Sequence, residues 1–155
     1  MIREMIRDDL KKVNTIVGSV FNENDCKNAK NQIKFHFKCL ENNIDDGTDY
    51  WVLEIDEEVI GFIGLENTKQ DVSWIQWFAV LDEYQGKGFG DKLINYVIKT
   101  AKKENANLIC VETGSLSMFG KSKNLYKKYG FTENFKIKNY WKENDDLILL
   151  SKELK

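Results

Sequence analysis

The chain predicts one mixed α/β domain: a mostly antiparallel sheet of about seven strands with helices on both faces. Three observations carry this. Apolar residues switch repeatedly between runs suited to strands and spacings of three or four suited to helices. A glycine-rich turn, Gln85-Gly86-Lys87-Gly88-Phe89-Gly90, follows an apolar run and precedes an amphipathic one, giving strand, loop and helix in that order. The 155 residues, 42% hydrophobic and 31% charged, suit a single soluble domain with its own core.

Met1 to Ile6 reads as a short strand. Asp8 and Asp9 suit a helix start, and Leu10, Val13, Ile16, Val17 and Val20 follow at helical spacing. Asn22 to Asp25 interrupts it, and a second helix is expected over Cys26 to Asn42 with Ile33, Phe37 and Leu40 on one face. After the turn Asp45-Asp46-Gly47, Tyr50 to Ile55 and Val59 to Leu65 form a hairpin about Asp56-Glu57-Glu58. Trp74 to Val80 is a strongly apolar strand. Gly88 to Glu104 is a helix that turns Leu93, Ile94, Val97, Ile98 and Ala101 inward, and Leu108 to Glu112 is a strand, with Cys110 in the core. A helix between these two strands implies a right-handed crossover and parallel pairing. Lys121 to Tyr129 is a short helix closed by Gly130, and Phe131 to Lys138 with Asp146 to Leu150 make a final antiparallel pair.

The composition narrows the function. A net charge of −2 argues against a nucleic-acid partner. Cys26, Cys39 and Cys110 are odd in number and lack metal-site spacing, which fits thiols in a reduced compartment and no metal. Met1 to Leu10 alternates charge with apolar residues, unlike a signal peptide, and no apolar run nears the ~20 residues that span a bilayer. The expectation is a cytoplasmic protein without a membrane partner.

The glycine turn carries the chemistry. Glycine lets main-chain N–H groups crowd an anion, and the helix after it adds its unpaired N–H groups and dipole. This arrangement seats a diphosphate. Gly120-Lys121-Ser122 imitates the end of a nucleotide-binding loop, but Ser115 stands where that loop needs its first glycine. Gly86, Gly88 and Gly90 fall two apart and miss the dinucleotide spacing.

Gln85-x-x-Gly88-x-Gly90, with Trp77-Phe78-Ala79-Val80-Leu81-Asp82-Glu83-Tyr84 before it, resembles the acyl-CoA loop of the GNAT N-acetyltransferase superfamily. About forty residues on, Leu125-Tyr126-Lys127-Lys128-Tyr129-Gly130-Phe131 resembles the family's Leu-Tyr-x-x-x-Gly-Phe segment. The element order matches over nearly the whole chain. The family often has Asn and Ala seven and four positions before that tyrosine; here Phe119 and Ser122 stand there.

The resemblance implies a GNAT-like fold whose parallel fourth and fifth strands splay apart, and acetyl-CoA as co-substrate. Main-chain N–H groups of Gln85, Gly86, Lys87, Gly88, Phe89, Gly90 and Asp91 would hold the diphosphate, with Asp91 as a dipole and capping partner. The backbone of Phe78, Ala79 and Val80 would pair with the pantetheine arm, an amide near Ala79 or Val80 facing the thioester oxygen. Tyr126 would protonate the leaving sulfur. Glu112 is the first candidate to take a proton from the amine, ahead of Glu66 and Glu54. Gln76 could hold a water, and Gln76, Trp77 and Phe119 are candidate acceptor contacts. Trp51, Trp74, Trp77, Phe119, Tyr140 and Trp141 could line an apolar or cationic acceptor pocket, and each is assigned first to the core, with Phe119 the one expected nearest the substrate. His36, the sole histidine, reads as a packing residue.

The implied activity is direct acetyl transfer to a primary amine of a small molecule or protein, with no cysteine in a nucleophile setting. The rival reading is a non-catalytic acyl-CoA sensor on the same scaffold. An exposed final strand would support a homodimer.

Overall fold

The computed structural model of the chain describes residues 1–68, 70–116 and 120–155. They contain seven strands in one sheet, ordered first, second, third, fourth, fifth, seventh, sixth, together with four α-helices. The chain divides into two compact units, Met1–Glu66 with Gln76–Leu93, and Asn67–Ile75 with Ile94–Lys155.

In the first unit, β1 (Ile2–Glu4) pairs antiparallel with β2 (Thr48–Ile55), which pairs antiparallel with β3 (Glu58–Asn67). Asp56 and Glu57 turn this hairpin, both at positive φ. Helices α1 (Leu10–Val20) and α2 (Glu23–Glu41) bury Val13, Ile16, Val17, Ile33 and Phe37, as their spacing predicts. In α2 two details depart from the sequence reading. The α2 helix starts at Glu23, before Cys26, because the Asn22 side chain accepts from Asp25 N at 2.9 Å and caps it. Leu40 is 50% exposed and not on the buried face: the helix ends at Glu41, and in its last turn Cys39 is the buried side chain instead.

Strand β4 (Val72–Val80) begins in the second unit and ends in the first, and α3 (Phe89–Lys103) runs the other way. Within the second unit β4 pairs parallel with β5 (Leu108–Gly114) through Val72–Leu108, Ser73–Ile109 and Trp74–Cys110, as the intervening helix requires. The β7 strand (Asp145–Glu153) lies between β5 and β6 (Thr132–Lys142). Ile94, Val97, Ile98, Ala101, Ile109, Cys110, Leu147, Ile148 and Leu150 are buried. Helix α4 (Gly120–Lys128) ends at Gly130, whose φ of 85° lets Phe131 N return to Tyr126 O at 3.1 Å. Tyr140 and Trp141 are exposed at 54% and 47%, so their assignment to the core is corrected. They lie on the edge strand β6, where every residue is exposed, and their rings pack edge to face at 4.7 Å.

Candidate active site

The glycine turn grows out of the end of β4. Leu81 N donates to Ile60 O at 2.9 Å, and a single 3-10 turn over Asp82–Tyr84 reverses the chain. Gln85 pins the far side of that turn: its Nε2 donates to Val80 O and to Asp82 Oδ1, each at 2.9 Å. Gly86 and Gly88 then adopt φ of 73° and 83°, and a Cβ at either would meet nothing within 4 Å. Positive φ at two positions turns successive amides to one side, and the open space leaves room for an anion. Lys92 N donates to Gly88 O at 3.2 Å, so the amides of Phe89 and Gly90 precede the first helical bond of α3. The residues present fit a diphosphate.

Aromatic residues frame this loop. Tyr84 and Phe89 pack edge to face at 6.0 Å, Lys87 Nζ sits 5.5 Å over the Tyr84 ring, and Lys92 Nζ sits 5.4 Å over Phe89. Lys92 was missed from sequence; its place three positions after Phe89 on a helix was the available signal. Asp91 is half-buried in the first turn of α3.

Upstream on β4, Ala79 and Val80 are buried and Phe78 is half-buried. Gln76 Nε2 donates to Glu66 Oε2 at 2.7 Å, so both of these candidates are engaged with each other across β3 and β4. Trp77 donates from Nε1 to Gln32 Oε1 at 2.6 Å and packs its ring 5.5 Å from Phe21, which ties it to α2 and the end of α1. Glu54 accepts from Arg3 Nε at 2.9 Å and serves as an ion-pair partner. His36 is buried, with Nδ1 2.9 Å from Asp46 Oδ1 and its ring edge-on to Tyr50. Burial, with Asp46 and Glu66 adding negative charge, pushes the Tyr50 phenol well above its usual range.

The remaining candidates belong to the second unit. Tyr126 on α4 is buried, with its ring 5.6 Å from Phe131. Burial pushes its phenol far above the ordinary value, so it stays protonated near neutral pH. Glu112 is exposed on β5, opposite Leu149. Cys110 is buried, and burial raises its thiol, the reverse of what a nucleophile needs. Phe119 lies outside the described residues. No group of three or more metal-ligating side chains occurs among the described residues, and no described helix is long and apolar enough to cross a membrane.

A strand, glycine turn and helix of this kind form a seat suited to a phosphate-bearing ligand. A family profile described as an acetyltransferase (GNAT) domain matches residues 46–133. The chain belongs to the GNAT acetyltransferase family.

A Bacillus subtilis (strain 168) protein assigned as a [ribosomal protein bS18]-alanine N-acetyltransferase is 26% identical over 149 residues, covering 96% of this chain and 91% of its own. A Xenopus tropicalis protein assigned as the N-acetyltransferase camello is 31% identical over 87 residues, 55% of this chain; the match spans 39% of that relative's length. Among solved structures, a Desulfovibrio desulfuricans chain assigned to the GNAT family superposes with a TM-score of 0.88 at 19% identity, covering 100% of this chain and 99% of its own.

Proposed function

We propose that the chain is an acetyl-CoA-dependent N-acetyltransferase acting by direct transfer to a primary amine. The observation that carries this reading is the paired positive φ of Gly86 and Gly88 over open space at the head of α3. Acetyl-CoA supplies the activated acetyl thioester. The amides from Gln85 to Asp91 bind its diphosphate. The main chain of Phe78, Ala79 and Val80 orients the pantetheine arm, and an amide near Ala79 or Val80 stabilises charge developing on the carbonyl oxygen. Glu112 takes the proton that the acceptor nitrogen gives up. Tyr126, kept protonated by burial, donates to the departing sulfur. The acceptor's C–N bond forms as the C–S bond breaks, so no acyl-enzyme is needed and no cysteine takes part.

A cytoplasmic setting and a homodimer through an exposed strand belong to the same proposal. The acceptor is a small-molecule amine or a protein amino group. The name of the Bacillus subtilis relative supports including an alanine-starting peptide among the candidates. The test is release of free CoA thiol across a panel of a polyamine, an aminoglycoside, single amino acids and that peptide, with acetyl-CoA affinity measured in parallel by calorimetry. Turnover with any amine supports the transferase. Tight binding without turnover on the whole panel points to the acyl-CoA sensor, and retained affinity in Gly88→Val rejects the loop assignment.

A further inference from the structure

We infer that Lys87 and Lys92, each laid over an aromatic ring beside the glycine turn, form a second phosphate site that recognises the 3′-phosphate of the cofactor. The inference rests on the proposed reading that this turn holds acetyl-CoA. Lys87 stands between the two positive-φ glycines, and Lys92 lies in the first turn of α3. Their ammonium groups sit 5.5 Å over Tyr84 and 5.4 Å over Phe89, and these rings touch edge to face at 6.0 Å. The four side chains therefore form one continuous shelf, Lys87–Tyr84–Phe89–Lys92.

An exposed lysine normally samples many rotamers, and ordering it for a ligand costs side-chain entropy. A ring face under the ammonium restricts that freedom before any ligand arrives. Both lysines are exposed, and neither is in an ion pair among the described residues. Two ordered cations without a protein counter-charge are suited to an external anion. The main-chain amides of the turn already provide for a diphosphate, and the ammonium groups lie over the Tyr84 and Phe89 rings. The anion that suits them is a separate phosphomonoester, which carries nearly two negative charges at neutral pH. Acetyl-CoA has one such group. Asp82 and Glu83 precede the shelf and Asp91 interrupts it. Asp82 is occupied with the Gln85 amide.

The experiment measures, by calorimetry, the affinity of the intact protein for CoA and for 3′-dephospho-CoA. It uses the wild type, Lys87→Ala, Lys92→Ala, the double variant and Lys92→Arg, with thermal melts to confirm folding. Two partly exposed charge pairs predict a wild-type preference for CoA of about tenfold at low salt. That preference should fall toward unity in the double variant, persist in Lys92→Arg, and shrink as salt is raised. Affinity for 3′-dephospho-CoA should fall less than affinity for CoA in each alanine variant. Equal wild-type affinity for the two ligands overturns the proposal. So does an equal loss for both ligands in the variants, which would assign the lysines to the diphosphate. A wild type that binds neither ligand rejects the cofactor reading and this inference with it, whereas failure of the inference alone leaves CoA affinity intact.

Discussion

The side-chain amide of Gln85 donates to the main-chain carbonyl of Val80 at 2.9 Å, reaching back across the 3-10 turn that separates them. Its second bond, to Asp82 Oδ1, braces the same turn. The end of β4 and the start of the glycine turn are thus held by one neutral side chain, and the direction in which the amides point depends on it. Gln85→Ala removes both bonds at a cost of about 1 kcal/mol each. The expected outcome is a folded protein whose KM for acetyl-CoA rises about three- to tenfold. A steady-state titration of the cofactor checks this, and an unchanged KM would show that the turn holds its shape without the brace.

Gly64 is required for a reason of space. A Cβ there would lie 2.6 Å from Tyr50 Cε1 and 3.0 Å from Gln76 Cβ. Tyr50 is itself buried opposite Gly64 on β2, so the ring has little room to yield. Gly64→Ala should destabilise the fold by about 1–3 kcal/mol, the usual cost of overpacking. Adding Tyr50→Leu frees the space, so the double variant should be more stable than the sum of the single changes predicts. Urea unfolding of the four proteins reads the coupling directly, and strict additivity would mean the clash is relieved elsewhere.

Asp9 shows how a residue legible as a helix-start signal acquires a larger task. Arg3 forks onto it, Nη1 to Oδ2 at 2.8 Å and Nη2 to Oδ1 at 2.9 Å, and Ile6 N donates to Oδ2 at 2.8 Å. Burial alone would raise the carboxyl, but the guanidinium and the amide outweigh it and hold it below the usual carboxylate range. A depressed folded value stabilises the protein fully above the unfolded value of about 3.9, and the contribution is lost as pH falls through the lower folded one. Asp9→Asn should therefore cost about 2 kcal/mol at pH 7. The gap to wild type should narrow only below about pH 4. Denaturant midpoints at pH 7, 5 and 3 test the trend, and a gap constant throughout would rule out the ion pair as its source.

What the sequence disclosed, and what it withheld, divides along physical lines. The strand, glycine turn and helix around Gln85 to Gly90 were readable because glycine spacing and apolar periodicity are local properties. The inward faces of α1 and α3 were readable for the same reason. Local pattern failed where a partner distant in the chain decides. Tyr140 and Trp141 are as apolar as core residues, yet they stand on the edge strand because β7 and not β6 pairs with β5. Trp77 is tied to Gln32, Gln76 to Glu66 and Glu54 to Arg3, contacts over ten or more positions that no spacing rule announces. The brace from Gln85 to Val80 is short in sequence but depends on the intervening turn, and a motif letter alone does not reveal it.

Tyr126 carries the sharpest prediction about the chemistry. Its ring is buried against Phe131, and burial lifts the phenol far above its ordinary value of 10.0. A phenol in that state holds a proton throughout the neutral and mildly alkaline range, so it serves as a donor and not as a base. Tyr126→Phe keeps the ring and its packing, and the protein should stay folded with nearly unchanged affinity for acetyl-CoA. Its kcat should fall about ten- to a thousandfold, the span expected for protonating a thiolate that already leaves fairly well. The pH profile separates donor from base: no loss of wild-type rate due to Tyr126 should appear as pH rises toward about 10. A rate that climbed toward the phenol's own ionisation would instead mark a tyrosinate base. Stability runs in the matching direction. The raised value favours the folded state fully below the unfolded phenol's value of about 10, and this advantage is lost as pH rises from there through the folded one. Tyr126→Phe should therefore become relatively more stable than wild type only in strongly alkaline solution. Equal kcat for the two proteins at every pH would remove Tyr126 from the reaction.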